Sequence, residues 1–175
     1  VLERKTGRDM TLPMDREYGT ITANFTEEEE FSVIALPDTQ NYCNNDSQAL
    51  IYDAQAQWVV DNVVTENIKF VTHLGDIVNN QYSDDHWRRA NGAMDIMNTH
   101  LPYGTSPGNH DLSDKYIEHY GPNAQRWINP ADGQVYDWYK GSSPTGWSDY
   151  QVITVNGRDW MFLHMDIDAR DQDIA

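Results

Sequence analysis

Ile68-Lys69-Phe70-Val71-Thr72-His73-Leu74 runs directly into Gly75-Asp76-Ile77-Val78-Asn79-Asn80. The first part is short, largely apolar and rich in strand-forming residues, so it reads as a buried strand, and Gly75 ends it. Upstream, Phe31-Ser32-Val33-Ile34-Ala35-Leu36 has the same character and stops at Pro37. Between the two, residues 46–65 carry Leu50, Ile51, Ala54, Trp58, Val59 and Val63 at helical spacing, with Asp46 or Ser47 available as a cap. Downstream, residues 84–98 place Trp87, Ala90, Met94 and Met97 on one helical face. Residues 101–106 then read as a short extended segment that runs into Pro107-Gly108. An alternating β-α-β-α-β order predicts an α/β fold with a parallel sheet and helical crossovers.

The pattern changes after residue 112. The sequence predicts a short helix over 113–120 and a long loop over 121–147, rich in Gly, Pro, Asn and Ser. Residues 150–155 and 158–164 flank Asn156-Gly157, a strong short-range hairpin signal. Residues 1–30 are polar and end in Glu27-Glu28-Glu29-Glu30, which reads as a linker or the end of a preceding segment. Residues 31–175 then form the first part of one domain. Both ends read as cut, since the chain starts at Val1 and closes on an acidic stretch, 166–175, that resembles a helix just beginning.

Composition narrows the function classes. Twelve Lys and Arg face 28 Asp and Glu, for a formal net charge of −16. Such a surface repels polyanions, so no nucleic-acid-binding surface is expected. No apolar run approaches the ~20 residues needed to span a bilayer, and a soluble, possibly exported protein is expected. The single cysteine, Cys43, excludes an internal disulfide framework and a Cys-rich zinc site. Asn24-Phe25-Thr26 and Asn45-Asp46-Ser47 match the glycosylation pattern, a short match that assigns nothing by itself.

Three polar clusters follow the three parallel strands: Asp38-Thr39-Gln40-Asn41, Gly75-Asp76-Ile77-Val78-Asn79-Asn80 and Gly108-Asn109-His110-Asp111. The carboxyl ends of adjacent strands in an open α/β sheet form a ligand crevice, so the clusters are expected to converge. Asp38 and Asp76 supply carboxylates, Gln40 and Asn109 amide oxygens, and His110 an imidazole. That donor set suits hard or borderline divalent ions, Mn, Fe, Zn or Mg. Each cluster alone has a plainer reading, as a helix cap or turn; the ordered trio carries the argument.

The order Asp-x-Gln, Gly-Asp-x-x-Asn, Gly-Asn-His-Asp resembles the calcineurin-like metallophosphoesterase superfamily, in a branch reading Pro-Asp-Thr-Gln at the first motif, here Pro37-Asp38-Thr39-Gln40. The resemblance covers about residues 31–170 and implies a two-sheet αββα sandwich with two divalent metal ions at the strand ends. By position it implies that Asp38 binds the first metal, Asp76 bridges both and Asn109 binds the second. Gln40 holds the place usually taken by a metal-binding His. His110 would be the general acid or transition-state stabiliser, and Asn79 holds the place of an Asp that orients it. The implied activity is hydrolysis of a phosphate-ester substrate by a hydroxide that both metals activate.

The chain departs from that pattern in lacking both Gly-His and His-x-His. The sandwich is therefore expected to be partial, truncated before the second half of the metal site, and inactive by itself. A non-catalytic, degenerate binding or surface module is the alternative, favoured by Gln40 and Asn79. His164, inside an apolar strand, reads as structural, and His73 as a satisfied core residue. His86, His100 and His119 lack ligand spacing. Tyr136, Trp138, Tyr139 and Trp147 either line a groove or cover the sheet edge, with covering the favoured reading.

Overall fold

The computed structural model describes residues 10–13, 20–23 and 30–168. Two units are distinct, Val1–Glu30 and Phe31–Ala175. In the first, strands β1 (Met10–Pro13) and β2 (Thr20–Ala23) pair antiparallel, from Met10 opposite Ala23 to Pro13 opposite Thr20. The sequence reading has no strands there, because these short segments lack apolar alternation. The Asn24 tripeptide and most of the acidic stretch at 166–175 lie outside the described residues.

In the second unit β3 (Ser32–Leu36), β4 (Ile68–His73) and β5 (Tyr103–Thr105) form a parallel sheet in the order β3-β4-β5. Helices α1 (Asp46–Asn62) and α2 (Asp84–Met97) make the two crossovers. Strands β6 (Tyr139–Ser142), β7 (Asp149–Val155) and β8 (Arg158–His164) form an antiparallel sheet. Asn156 and Gly157 both adopt positive φ, 54° and 74°, as a two-residue hairpin turn requires. Helix α3 (Asp114–Tyr120) precedes the second sheet.

The two sheets stack face to face. Phe70 on β4 lies parallel to Phe162 on β8, centroids 3.8 Å apart, and Ile153 and Val155 close the same layer. Gly104 makes this approach possible: a methyl there would collide with the His164 ring and the Gln151 amide. His164 is buried at the end of β8, with Nε2 2.9 Å from Thr72 Oγ1. The opposite face of the parallel sheet packs against the helices through Leu36, Val71, Tyr52, Ala56, Val59, Trp87, Met94 and Met97. The architecture is α/β, two sheets with helices, as the sequence implies. A helical layer on the outer face of the second sheet is not present among the described residues.

Three details differ from the sequence reading. Helix α1 buries Ala49, Tyr52, Ala56 and Val59, whereas Leu50 and Trp58 are 65% and 50% exposed. Apolar side chains surround this helix, and the sheet selects the face one position away from the bulkiest residues. The cap of α1 is Asn45, whose Oδ1 accepts the Gln48 N–H at 3.0 Å. The same side chain binds Ser47 Oγ and Gln48 Oε1, so the Asn45 amide is already engaged in the cap. The expected loop over 121–147 contains a 3-10 turn, Gln125–Trp127, and β6, whose Tyr-Lys-Gly-Ser sequence carries no alternating signal.

The aromatic residues of this stretch pack inward. Trp127 is fully buried against Tyr103 of β5, Trp138 and Tyr139, and Trp147 stacks on Tyr116. They cover the edge strand β5.

Candidate metal centre

The loops after β3, β4 and β5 are drawn together by backbone groups. Thr39 N–H donates to the Asp76 carbonyl at 3.2 Å, which joins the first loop to the second. His110 N–H donates to Asp76 Oδ1 at 3.0 Å, which joins the third to the second. Gly75, at φ +101°, lies so close to Gly108 that a Cβ on it would stand 2.8 Å from the Gly108 nitrogen. A Cβ on Gly108 would in turn overlap the Asp76 carboxylate. Both glycines are required by close approach. Asp76 itself adopts a left-handed φ of 52°, a conformation that costs a non-glycine residue about 1–2 kcal/mol.

Asp111 locks the second and third loops. Its buried carboxylate accepts the N–H groups of Ile77 at 2.9 Å, Val78 at 3.1 Å and Gly108 at 2.9 Å. Burial pushes its carboxyl up to about 6, against the pull of these donors and with the neighbouring Asp76 charge adding to the rise. The sequence reading quotes Asp111 within its motif without a role. Its signal is the pair of loops it sits between, which only the fold makes neighbours.

His73 locks the first and second loops. Gly75 N–H donates to Nδ1 at 3.1 Å, so the neutral ring carries its proton on Nε2, which donates to Thr39 Oγ1 at 3.0 Å. The Thr39 hydroxyl donates onward to the Ile77 carbonyl at 3.2 Å. Every polar atom of the ring is satisfied in a fully buried site, and burial depresses its pKa to about 3. His73 is thus the satisfied core residue the sequence suggests, and its partners tie Asp38-Thr39-Gln40 to Gly75-Asp76.

The expected ligands occupy these loops. Both Asp38 oxygens accept from Gln40: Oδ1 from the backbone N–H and Oδ2 from Nε2, each at 3.0 Å. Gln40 Oε1 is buried and has no hydrogen-bond partner. Asp38 and Asn109 are exposed and Asp76 is half-buried. His110 Nδ1 lies 2.9 Å from the Asn79 carbonyl oxygen, an acceptor only, so Nδ1 carries the proton and donates. The Asn79 side chain points elsewhere, donating from Nδ2 to Asn44 Oδ1 at 2.8 Å. Asn79 therefore holds the imidazole through its backbone rather than through the amide the sequence suggests.

Among the described residues no three His, Cys, Asp or Glu side chains gather closely enough to hold a metal ion. The three loops offer two carboxylates, Asp38 and Asp76, and the side-chain amides of Gln40 and Asn109. The orphaned Gln40 oxygen and this oxygen-rich set fit a hard or borderline divalent ion.

The family model for calcineurin-like phosphoesterases matches residues 31–173. The chain is 30% identical over 179 residues to YvnB of Bacillus subtilis (strain 168), described as an uncharacterized protein; the match covers 93% of this chain and 14% of YvnB. Purple acid phosphatase PPD1 from yellow lupin seeds shares 17% identity over 53% of this chain and 18% of its own, at a TM-score of 0.34, a likeness too low to bear on function. Among the described residues no helix is long and apolar enough to cross a membrane.

Proposed function

The chain belongs to the calcineurin-like phosphoesterase family, and we propose that it supplies the first-sheet half of a dinuclear metal site that hydrolyses a phosphate ester. The observation that carries this reading is the convergence of three strand-end loops on Asp76, through its carbonyl to Thr39 and its carboxylate to His110. This chain spans 14% of the length of YvnB, so the proposal concerns the longer protein in which these residues act.

Asp38, Gln40, Asp76 and Asn109 are the groups that hold the ions, with Asp76 central because both neighbouring loops bond to it. When bound, a pair of divalent ions supplies Lewis acidity and an acidified water as nucleophile. The residues of this chain do the rest. His110, its Nδ1–H fixed on the Asn79 carbonyl, exchanges protons at Nε2. As imidazolium it donates from Nε2 to a phosphoryl or leaving-group oxygen; as neutral imidazole it accepts. The second-sheet histidines of such a site are assigned to other parts of the longer protein, because neither Gly-His nor His-x-His occurs here. The 175 residues alone are then expected to be inactive.

The test is hydrolysis of p-nitrophenyl phosphate and bis(p-nitrophenyl) phosphate by the full-length protein with Mn2+. Asp76→Ala is expected to lower kcat/KM by about 10³-fold or more, since it removes the shared ligand. Undiminished hydrolysis contradicts the assignment. No stoichiometric metal together with no cleavage of either ester favours the alternative, a non-catalytic binding module.

A further inference from the structure

We infer that the outward face of α1 is a self-association surface, on which a second copy of the protein docks its own α1, antiparallel about Ala54. The helix buries Ala49, Tyr52, Ala56 and Val59 against the sheet, yet Leu50, Ile51, Ala54 and Trp58 are exposed on its other side. At about 100° per residue these four fall within about 60° of one line, with Ala54 at its centre. A helix that packs on one sheet needs one apolar stripe, and this one has two. Exposed apolar side chains are ordinary when scattered singly, whereas a contiguous run marks a contact surface.

The spacing on this face selects the occupant. Ser47, Ile51, Ala54, Trp58 and Asp61 are all exposed and follow one another at steps of four, three, four and three, the spacing of a two-helix seam. The pattern is symmetric about its middle member, as a two-fold contact requires and an unrelated partner does not. An axis at Ala54 brings Ala54 against Ala54 of the second copy and Trp58 against its Leu50 and Ile51. The central methyl lets the two helix axes close to about 8 Å, and each indole fills the space beside the axis.

The ends of the seam complement each other in charge. The same axis carries Asp61 of one copy to the Ser47 end of the other, where Arg88 reaches Asp46 Oδ1 at 3.1 Å and is 60% exposed. Of the five N–H groups a guanidinium carries, Arg88 gives one to Asp46 and one to Asp85, which leaves donors for the incoming carboxylate. The 17-residue helix is about 25 Å long, so the contact falls below the roughly 800 Å² per partner of a standard interface. A weak dimer follows, with a dissociation constant of about 10–100 μM.

The experiment uses the full-length protein in NaCl at about 0.5 M, where repulsion between copies of this −16 chain is screened. Sedimentation velocity over about 1–200 μM is expected to show a monomer–dimer equilibrium. Leu50→Glu and Trp58→Ser are each expected to weaken it at least tenfold while far-UV circular dichroism stays native, because both side chains are exposed. Ala54→Cys under mild oxidation is expected to give a disulfide between two copies, read by mass spectrometry of the peptide that carries residue 54. Val64→Cys, at a position 89% exposed but about 30 Å from its mate in this pairing, is expected to give none. Cys43 is buried and does not compete. A monomer at every concentration overturns the inference, as does a dimer that neither surface variant weakens, or equal cross-linking at 54 and 64. In any of these cases a thiol in Ala54→Cys that reacts freely means bare surface, and an unreactive one means that another segment of the longer protein covers the face.

Discussion

The backbone N–H of His110 donates to Oδ1 of Asp76 across 3.0 Å, though 34 positions separate them in sequence. The bond sets the imidazole-bearing loop against the central carboxylate. The same imidazole is turned by Nδ1–H on the Asn79 carbonyl. His110→Ala in the full-length protein is expected to lower kcat by about 10²–10⁴-fold, the span of a positioned acid–base group. Asn79→Ala keeps the carbonyl and loses only the bond to Asn44, so it is expected to cost less than about tenfold, the value of one hydrogen bond. Steady-state rates of the two variants check the order; equal losses contradict it.

Gly104 is fixed by the second sheet. Gly104→Ala places a methyl inside the space of His164 and Gln151, and both are buried. Overpacking of this kind costs about 1–3 kcal/mol. Thermal or urea unfolding is expected to show that loss, whereas Gly92→Ala on α2, where an added Cβ meets nothing, is expected to stabilise slightly.

His73 gives the fold a signed response to pH. Its ring is neutral and held at a pKa of about 3 by burial, whereas the unfolded chain protonates it near 6.5. The unfolded state therefore binds the extra proton between those values. The contribution is fully present above pH 6.5 and is lost at about 1.4 kcal/mol per pH unit as pH falls toward 3. In urea titrations, His73→Asn is expected to have a lower stability at pH 7 and a shallower decline below pH 6 than wild type. Parallel declines contradict the assignment.

Cys43 is buried, its thiol donates to the Ile77 carbonyl at 3.2 Å, and burial pushes its pKa to about 12. Thiolate is the reactive form, so a rise from the ordinary thiol value of 9.0 lowers reactivity by about 10³-fold before burial itself is counted. Reaction with a thiol-directed disulfide reagent at pH 8 is expected only on unfolding. Fast reaction in the native state means that the loop carrying Ile77 opens readily.

Much of this arrangement is legible from sequence because the chemistry follows the strands. Two apolar runs and a short extended segment, each ended by Pro or Gly, give the parallel sheet, and Asn156-Gly157 gives the hairpin. The loops after Leu36, His73 and Thr105 then have to meet. What is not legible depends on packing choice. Helix α1 is apolar around most of its circumference, so periodicity does not select Tyr52 over Trp58 as the buried ring. Strand β6 is too short and too polar to declare itself. Asp111 and Thr39 act through bonds to backbone 34 and 38 positions away, and no local pattern reports such partners. The orphaned oxygen of Gln40 is visible only once Asp38 is seen to hold the nitrogen.

The most direct test of the metal centre is the number of Mn2+ ions retained per full-length chain after equilibrium dialysis, for wild type and Asp76→Ala. Two ions per wild-type chain, falling to one or none in Asp76→Ala with the fold intact, is the expected result. A wild type that retains none, or an Asp76→Ala variant that still retains two, contradicts the account.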